Sequence, residues 1–233
     1  MGHSLIQTFL QAHSEVTHYD TPVPAAGVAA GDRLIFSFLI SGTTNEISSM
    51  TDDKGNSYVI HQTLHASGVT LSIQVGSAYI GTALVNGDEI HTDLTGGTGG
   101  SIFFCDYAGL AINAFDKASN HQTTFDTTYS SNATATTTSA NELLYGSHGS
   151  RSLTNPFTPT GSFTTLTQFD NGTSCLQQIQ TRDVTATGSY TSAGTLSTDG
   201  TTLNVICTFA DAPPAAATGV DAVVARYGGT GRW

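Results

Sequence analysis

Along most of the chain, apolar and polar residues alternate with a period of two, the pattern of half-buried strands rather than helices. The run RLIFSFLIS (33–41) is apolar on both strand faces, which predicts a mostly buried central strand. Further strands are predicted at 57–64, 69–80, 88–94, 101–107, 123–129, 133–138, 142–149, 163–169, 174–184, 189–196 and 201–210, separated by clusters of Gly, Asn and Ser. A dozen short strands with regularly spaced turn signals is the pattern of a sandwich or barrel. The best helical candidate, AGLAINAFDKAS (108–119), is too short and too rich in small residues to be read as a helix. At residue 211 the texture changes: DAPPAAATG is a Pro/Ala linker, followed by VDAVVARYGGTGRW. The expected organisation is an all-β domain over 1–211, then a linker and C-terminal arm over 212–233.

Composition narrows the function classes. Charged residues make up 11% of the chain, against about 25% in ordinary globular proteins. Serine and threonine fill the difference, at about a quarter of the residues, and suit strands and turns. Seven basic residues face 18 acidic ones, a net charge of −11, so there is no basic stripe to neutralise a phosphate backbone. Neither nucleic-acid binding nor attachment to anionic membranes is expected. No apolar run reaches the roughly 18 residues of a membrane-spanning helix. The first 16 residues lack the basic and apolar regions of a signal peptide, so synthesis in a cytoplasm without export is expected. Cys105 and Cys207 lie in apolar strand-like runs, where free thiols behave as small hydrophobes, and an odd total of three with Cys175 argues against a disulfide framework. A Cys105–Cys207 bridge would require those two strands to face each other.

Candidate chemistry is sparse. His61 and His65, four apart on a strand, sit about 13 Å from each other and cannot share an ion. The remaining histidines are scattered, so no metal and no cofactor is expected. Ser147, His148 and Ser150 cluster in YGSHGSRS, but neighbouring strand residues point to opposite faces, no GxSxG elbow is present, and nothing selects Asp170 or Asp183 as a third member. The adjacent pairs Asp52–Asp53 and Asp88–Glu89 diverge rather than converge as glycosidase carboxylates do. The glycine-rich TGGTGG precedes a strand and has no lysine behind it, which makes it a loop and not a phosphate cradle. In TDDKGNSY (51–58), position 12 of a calcium loop counted from Asp52 is Thr63, so the stretch reads as a hairpin turn. The arm 212–233 carries the only tryptophan, and Tyr227, Arg232 and Trp233 are of the residue types that anchor interfaces.

Five segments, in order, resemble a family of jelly-roll-like β-sandwich modules in phage particles and on bacterial surfaces: AAGDRLIFSFLIS, ISSMTDDKGNSYVIHQTL, CDYAGLAINAFDKAS, TTTSANELLYGSHGS and DVTATGSYTSAGTLSTDGTTLNVICTFA. The shared marks are a GD-initiated apolar strand, a D-x-x-G-N-x-Y hairpin (Asp52, Gly55, Asn56, Tyr58, with one extra acidic residue), a Y-x-G turn (Tyr107–Gly109) and an A-N-E-L-L strand (Ala140–Leu144). The resemblance covers about residues 27–210 and implies an antiparallel, jelly-roll-like sandwich without catalytic residues. The expected function is that of a non-enzymatic virion component, a capsid decoration, head-fibre or tail-associated module. Its expected partners are other capsid or tail subunits and further copies of itself, with a trimer among the closed arrangements. The alternative is an adhesin that binds host surface glycans; Tyr129 and Tyr190 are its candidate sugar platforms, although core and strand-face roles suit them better.

Overall fold

A computed structural model describes residues 2–13, 16–42, 44–96, 99–151, 155–170 and 175–213. The expected arm residues Tyr227, Arg232 and Trp233 lie outside the described residues, as do all of 214–233. The described residues form fourteen strands and no helix. A central sheet has the order β1 (Ser4–His13), β8 (Gly100–Ala108), β3 (Arg33–Ile40), β6 (Ser72–Tyr79), β5 (Tyr58–His65). A small outer sheet consists of β2 (His18–Pro22), β7 (Glu89–Leu94) and β4 (Ile47–Asp52). The third sheet runs β11 (Phe157–Pro159), β14 (Ala193–Asp211), β10 (Asn141–Ser150), β13 (Leu176–Thr185), β12 (Thr164–Asp170), and β9 (Leu110–Ser130) pairs along β14. Every strand pair is antiparallel.

The first eight strands follow the jelly-roll order, 1-8-3-6 in one sheet and 2-7-4 in the other, which is two interleaved Greek keys. Strand β5, which would complete the second sheet beside β4, pairs with β6 at the edge of the central sheet instead. The third sheet then covers the free face of the central one, so the sandwich has three layers.

This layering explains the burial of β3 at all eight positions. Leu34, Phe36, Phe38 and Ile40 pack with Tyr19, Ile47 and Ile90 of the outer sheet. Ile35 and Leu39, on the opposite face, pack with Tyr145, Ile179 and Val205 of the third. Each such side chain contributes about 1.5–3 kcal/mol by leaving water. Cys105 and Cys207 belong to one apolar cluster at this second interface, Cys105 lies 3.8 Å from the Tyr145 hydroxyl, and both are free thiols. A polar seam crosses the same interface: Ser37 and Ser147 hydroxyls lie 2.5 Å apart, Gln177 Nε2 donates to Ser37 at 2.7 Å, and Ser101 donates to Gln177 Oε1 at 3.1 Å.

Several elements differ from the sequence reading. Residues 108–119 fall largely within β9 and form no helix. Of the predicted strand 189–196 only 193–196 is strand, and it is continuous with 201–210 in one long strand, β14, with irregular register around Gly200. Residues 133–138 form no strand: the amides of Ser131, Thr134 and Thr137 donate to the carbonyls of Ser192, Tyr190 and Gly188. These bonds recur at every third residue of the first segment, so no two-residue ladder develops. TDDKGNSY is no hairpin between paired strands, because β4 lies in the outer sheet and β5 in the central one; it is a turn that crosses between layers.

Candidate functional site

The outer sheet exposes a face built by strand alternation. On β2 the residues His18 and Asp20 point outward, opposite Asp93 and His91 of β7. Each strand carries the triplet His-x-Asp, and antiparallel pairing sets the histidine of one against the aspartate of the other. The result is a continuous array. Asp93 Oδ1 lies 2.7 Å from His18 Nδ1, and His18 Nε2 lies 3.1 Å from Asp20 Oδ1. The same Asp20 oxygen lies 2.6 Å from His91 Nδ1, and His91 Nε2 lies 3.1 Å from Asp53 Oδ1. The terminal carboxylates are held in turn: Ser49 Oγ donates to Asp93 at 2.6 Å, and the Glu89 amide donates to Asp53 at 2.8 Å. His18 and His91 stack with ring centroids 6.3 Å apart. Both imidazoles have pKa values raised above the ordinary value, His18 chiefly by its hydrogen bond to Asp93 and His91 by that to Asp20. The carboxyls of Asp20 and Asp53 are held low by hydrogen bonds from His91, and that of Asp93 by Ser49.

The crossing turn places Asp53 in this array by fixing Asp52 beneath it. Asp52 Oδ1 accepts from the amides of Lys54 (2.9 Å) and Asn56 (3.1 Å), and Oδ2 accepts from Asn56 Nδ2 (3.0 Å) and Tyr58 OH (2.9 Å). Four donors occupy this carboxylate, which leaves it poorly suited to a calcium ion. Lys54 pairs with Asp88 at 2.8 Å. The adjacent acidic pairs therefore do separate: Asp52 from Asp53, and Asp88 from Glu89.

A second feature is a cavity of about 310 Å³ lined by Arg33, His61, Ser77, Tyr79, Ile112 and Phe115, among others. Arg33 is 5% exposed; it donates to Ser77 Oγ at 2.8 Å and to the carbonyls of Ala111 and Ile112. Among the described residues no carboxylate forms an ion pair with it. His61 stacks on Phe115 with centroids 3.9 Å apart, and burial, followed by the charge of Arg33, lowers its pKa to about 4. His65 bonds Ser72 at 2.9 Å, so the two β5 histidines serve different partners, as their spacing requires.

The segment YGSHGSRS contains a relay that the sequence reading did not assemble. Ser147 faces the central sheet, whereas His148 points the other way, with Nδ1 2.9 Å from Asn204 Oδ1 and Nε2 2.9 Å from Ser192 Oγ. This is the spacing of a serine–histidine–asparagine triad. All three residues are fully buried, and Ser192 Oγ also accepts from Gln180 Nε2 at 2.8 Å. Burial lowers the His148 pKa to about 4. Within the core the three side chains are hydrogen-bonded to one another, and Asn204 Nδ2 donates further to the His121 carbonyl at 3.1 Å. Asp183, imagined as a third member, lies 2.9 Å from His3 instead.

Of the tyrosines considered as sugar platforms, Tyr129 is buried, with its hydroxyl 3.0 and 2.9 Å from Gln178 and Gln180, and Tyr190 bonds the Ala186 carbonyl. The His-x-Asp array was missed because its histidines are 73 residues apart. The repeated triplets HYD and HTD on strand-like stretches were the available signal. Comparison of the chain with family models, with curated proteins and with solved structures returned no match.

Proposed function

We propose that the chain is a non-enzymatic structural subunit of a phage particle, a decoration, fibre or tail-associated module that acts by assembly with other subunits and by surface display. The observation that carries this reading is the strand order of the first eight strands, a jelly roll of the kind used by capsid and lectin modules. That support is an analogy of architecture. The surface adds to it. Phe125 is 80% exposed and Ile112 63%, and large apolar side chains held in water at these levels suit contact with a neighbouring subunit. Ile112 also rims the Arg33 cavity, which joins an apolar anchor to a buried cation.

Light scattering on the full chain tests the reading. The expected result is a mass that is a multiple of 24.2 kDa and falls to the monomer in the Ile112→Asp, Phe125→Asp double variant. A monomer at every concentration, together with saturable binding to a glycan panel, would replace this reading with that of a carbohydrate-binding adhesin.

A further inference from the structure

We propose that His18, Asp20 and His91 form a binding site for one divalent transition-metal ion of the zinc type on the outer face of the β2–β7–β4 sheet. One ligand atom from each of the three lies within 4.8 Å of the other two. The two imidazole nitrogens that face Asp20 are already 3.1 and 2.6 Å from its Oδ1. Tetrahedral coordination with bonds of about 2.0–2.1 Å separates ligand atoms by roughly 3.3 Å, so a small outward movement of Asp20 admits the ion.

The second ring nitrogen of each histidine supplies an independent argument. A metal-bound imidazole characteristically donates its other N–H to a carboxylate, which fixes the tautomer and turns the lone pair toward the ion. Both histidines have that partner here. His18 Nδ1 meets Asp93, which Ser49 holds, and His91 Nε2 meets Asp53, which the Glu89 amide holds. With Nδ1 of His18 and Nε2 of His91 committed to these carboxylates, the nitrogens left to bind are the two that converge on Asp20. The backbone reinforces the geometry, because His18 and His91 sit on directly paired strands whose register is set by five consecutive partners.

The donor set determines the class of ion. Two imidazoles and a carboxylate suit zinc, cobalt or nickel, whereas calcium and magnesium demand oxygen ligands. Charge favours a cation as well: Asp20, Asp53 and Asp93 surround the site, and Lys54, the nearby cation, is taken by Asp88. His18 and Asp93 side chains are 53% and 51% exposed, so the remaining coordination positions open to solvent and water completes the shell. The ion would tie β2 to β7 without closing the site.

The test uses the full chain after chelator treatment, titrated with Zn2+ by calorimetry and with Co2+ by visible absorption. One ion per chain is expected, with tetrahedral d–d bands for Co2+ and a Tm that rises with Zn2+. His18→Ala and His91→Ala should each weaken binding by more than about 100-fold, and Asp53→Asn and Asp93→Asn by about 10–100-fold. Metal-free circular dichroism and Tm confirm that the variants fold. His121→Ala, at a histidine outside the array, should bind like the parent chain. The proposal is overturned by absence of saturable Zn2+ binding, by binding that survives the His18→Ala, His91→Ala double variant, by equal loss in His121→Ala, or by tighter binding of Ca2+ than of Zn2+.

Discussion

Asp52 shows how much a single side chain can organise. Its four accepted hydrogen bonds close the crossing turn, orient Tyr58 and set the position from which Asp53 reaches His91. A net hydrogen bond to a charged group contributes about 1.5–3 kcal/mol, and the four are not additive. Asp52→Ala is therefore expected to cost about 3 kcal/mol, read as a lower urea midpoint at an unchanged m-value. In the same turn Gly55 has φ +75° with open space where a Cβ would sit. Gly55→Ala thus isolates the backbone term, and a loss of about 1 kcal/mol is expected. An unchanged midpoint in either variant would mean that the turn does not hold the layers together.

At the scale of elements, β6 illustrates close approach. A Cβ on Gly76 would lie 2.4 Å from both the Phe36 ring and the Val59 carbonyl, so this glycine lets β5 and the core aromatic meet. Gly76→Ala should cost about 1–3 kcal/mol by forcing one of them aside, measurable as a drop in Tm. Such contacts were not legible beforehand, because they depend on which strands become neighbours. The strands themselves were largely legible where one or both faces are buried, as in β3, β8 and β10. Strand β1 was not: Leu5 and Ile6 are both partly exposed, and a bulge between Leu5 and Gln7 breaks the alternation at a sheet edge. The His-x-Asp array was legible only in halves. Each triplet was visible in the sequence, but their union depended on the pairing of β2 with β7, and β2 was not among the predicted strands.

For the whole molecule, two buried titrating groups pull in opposite directions. Burial raises the Glu142 carboxyl to about 7 from an ordinary 4.5, so the folded state holds its proton more tightly, and the stability it contributes below pH 4.5 is lost as pH rises through 7. Burial lowers His148 to about 4 from 6.5, so the stability it contributes above pH 6.5 is lost as pH falls through 4. Each effect is on the order of 3 kcal/mol, and between pH 4.5 and 6.5 they offset each other. Relative to the parent chain, Glu142→Gln should therefore make stability rise more with pH across that window and His148→Gln make it rise less. His61, lowered to about 4, and Asp106, raised to about 6, are common to both variants. Urea titrations at several pH values read both slopes, and parallel profiles for the two variants would refute the pairing.

The three-layer arrangement has a consequence for synthesis. A ribosome that has released residues up to 108 has supplied every strand of the jelly roll, yet the central sheet still presents Ile35, Leu39, Ile73, Val75 and Phe103 on the face meant for the third sheet. That sheet is organised around β14, which pairs with β9, β10 and β11 and follows them in the chain. Until β14 emerges, β9 and β11 lack the strand they pair with, and Leu203, Val205, Cys207 and Phe209 are missing from the cover of this greasy surface. Chains stalled before residue 193 should therefore be captured by chaperones that hold unfolded clients, and the completed chain should release them.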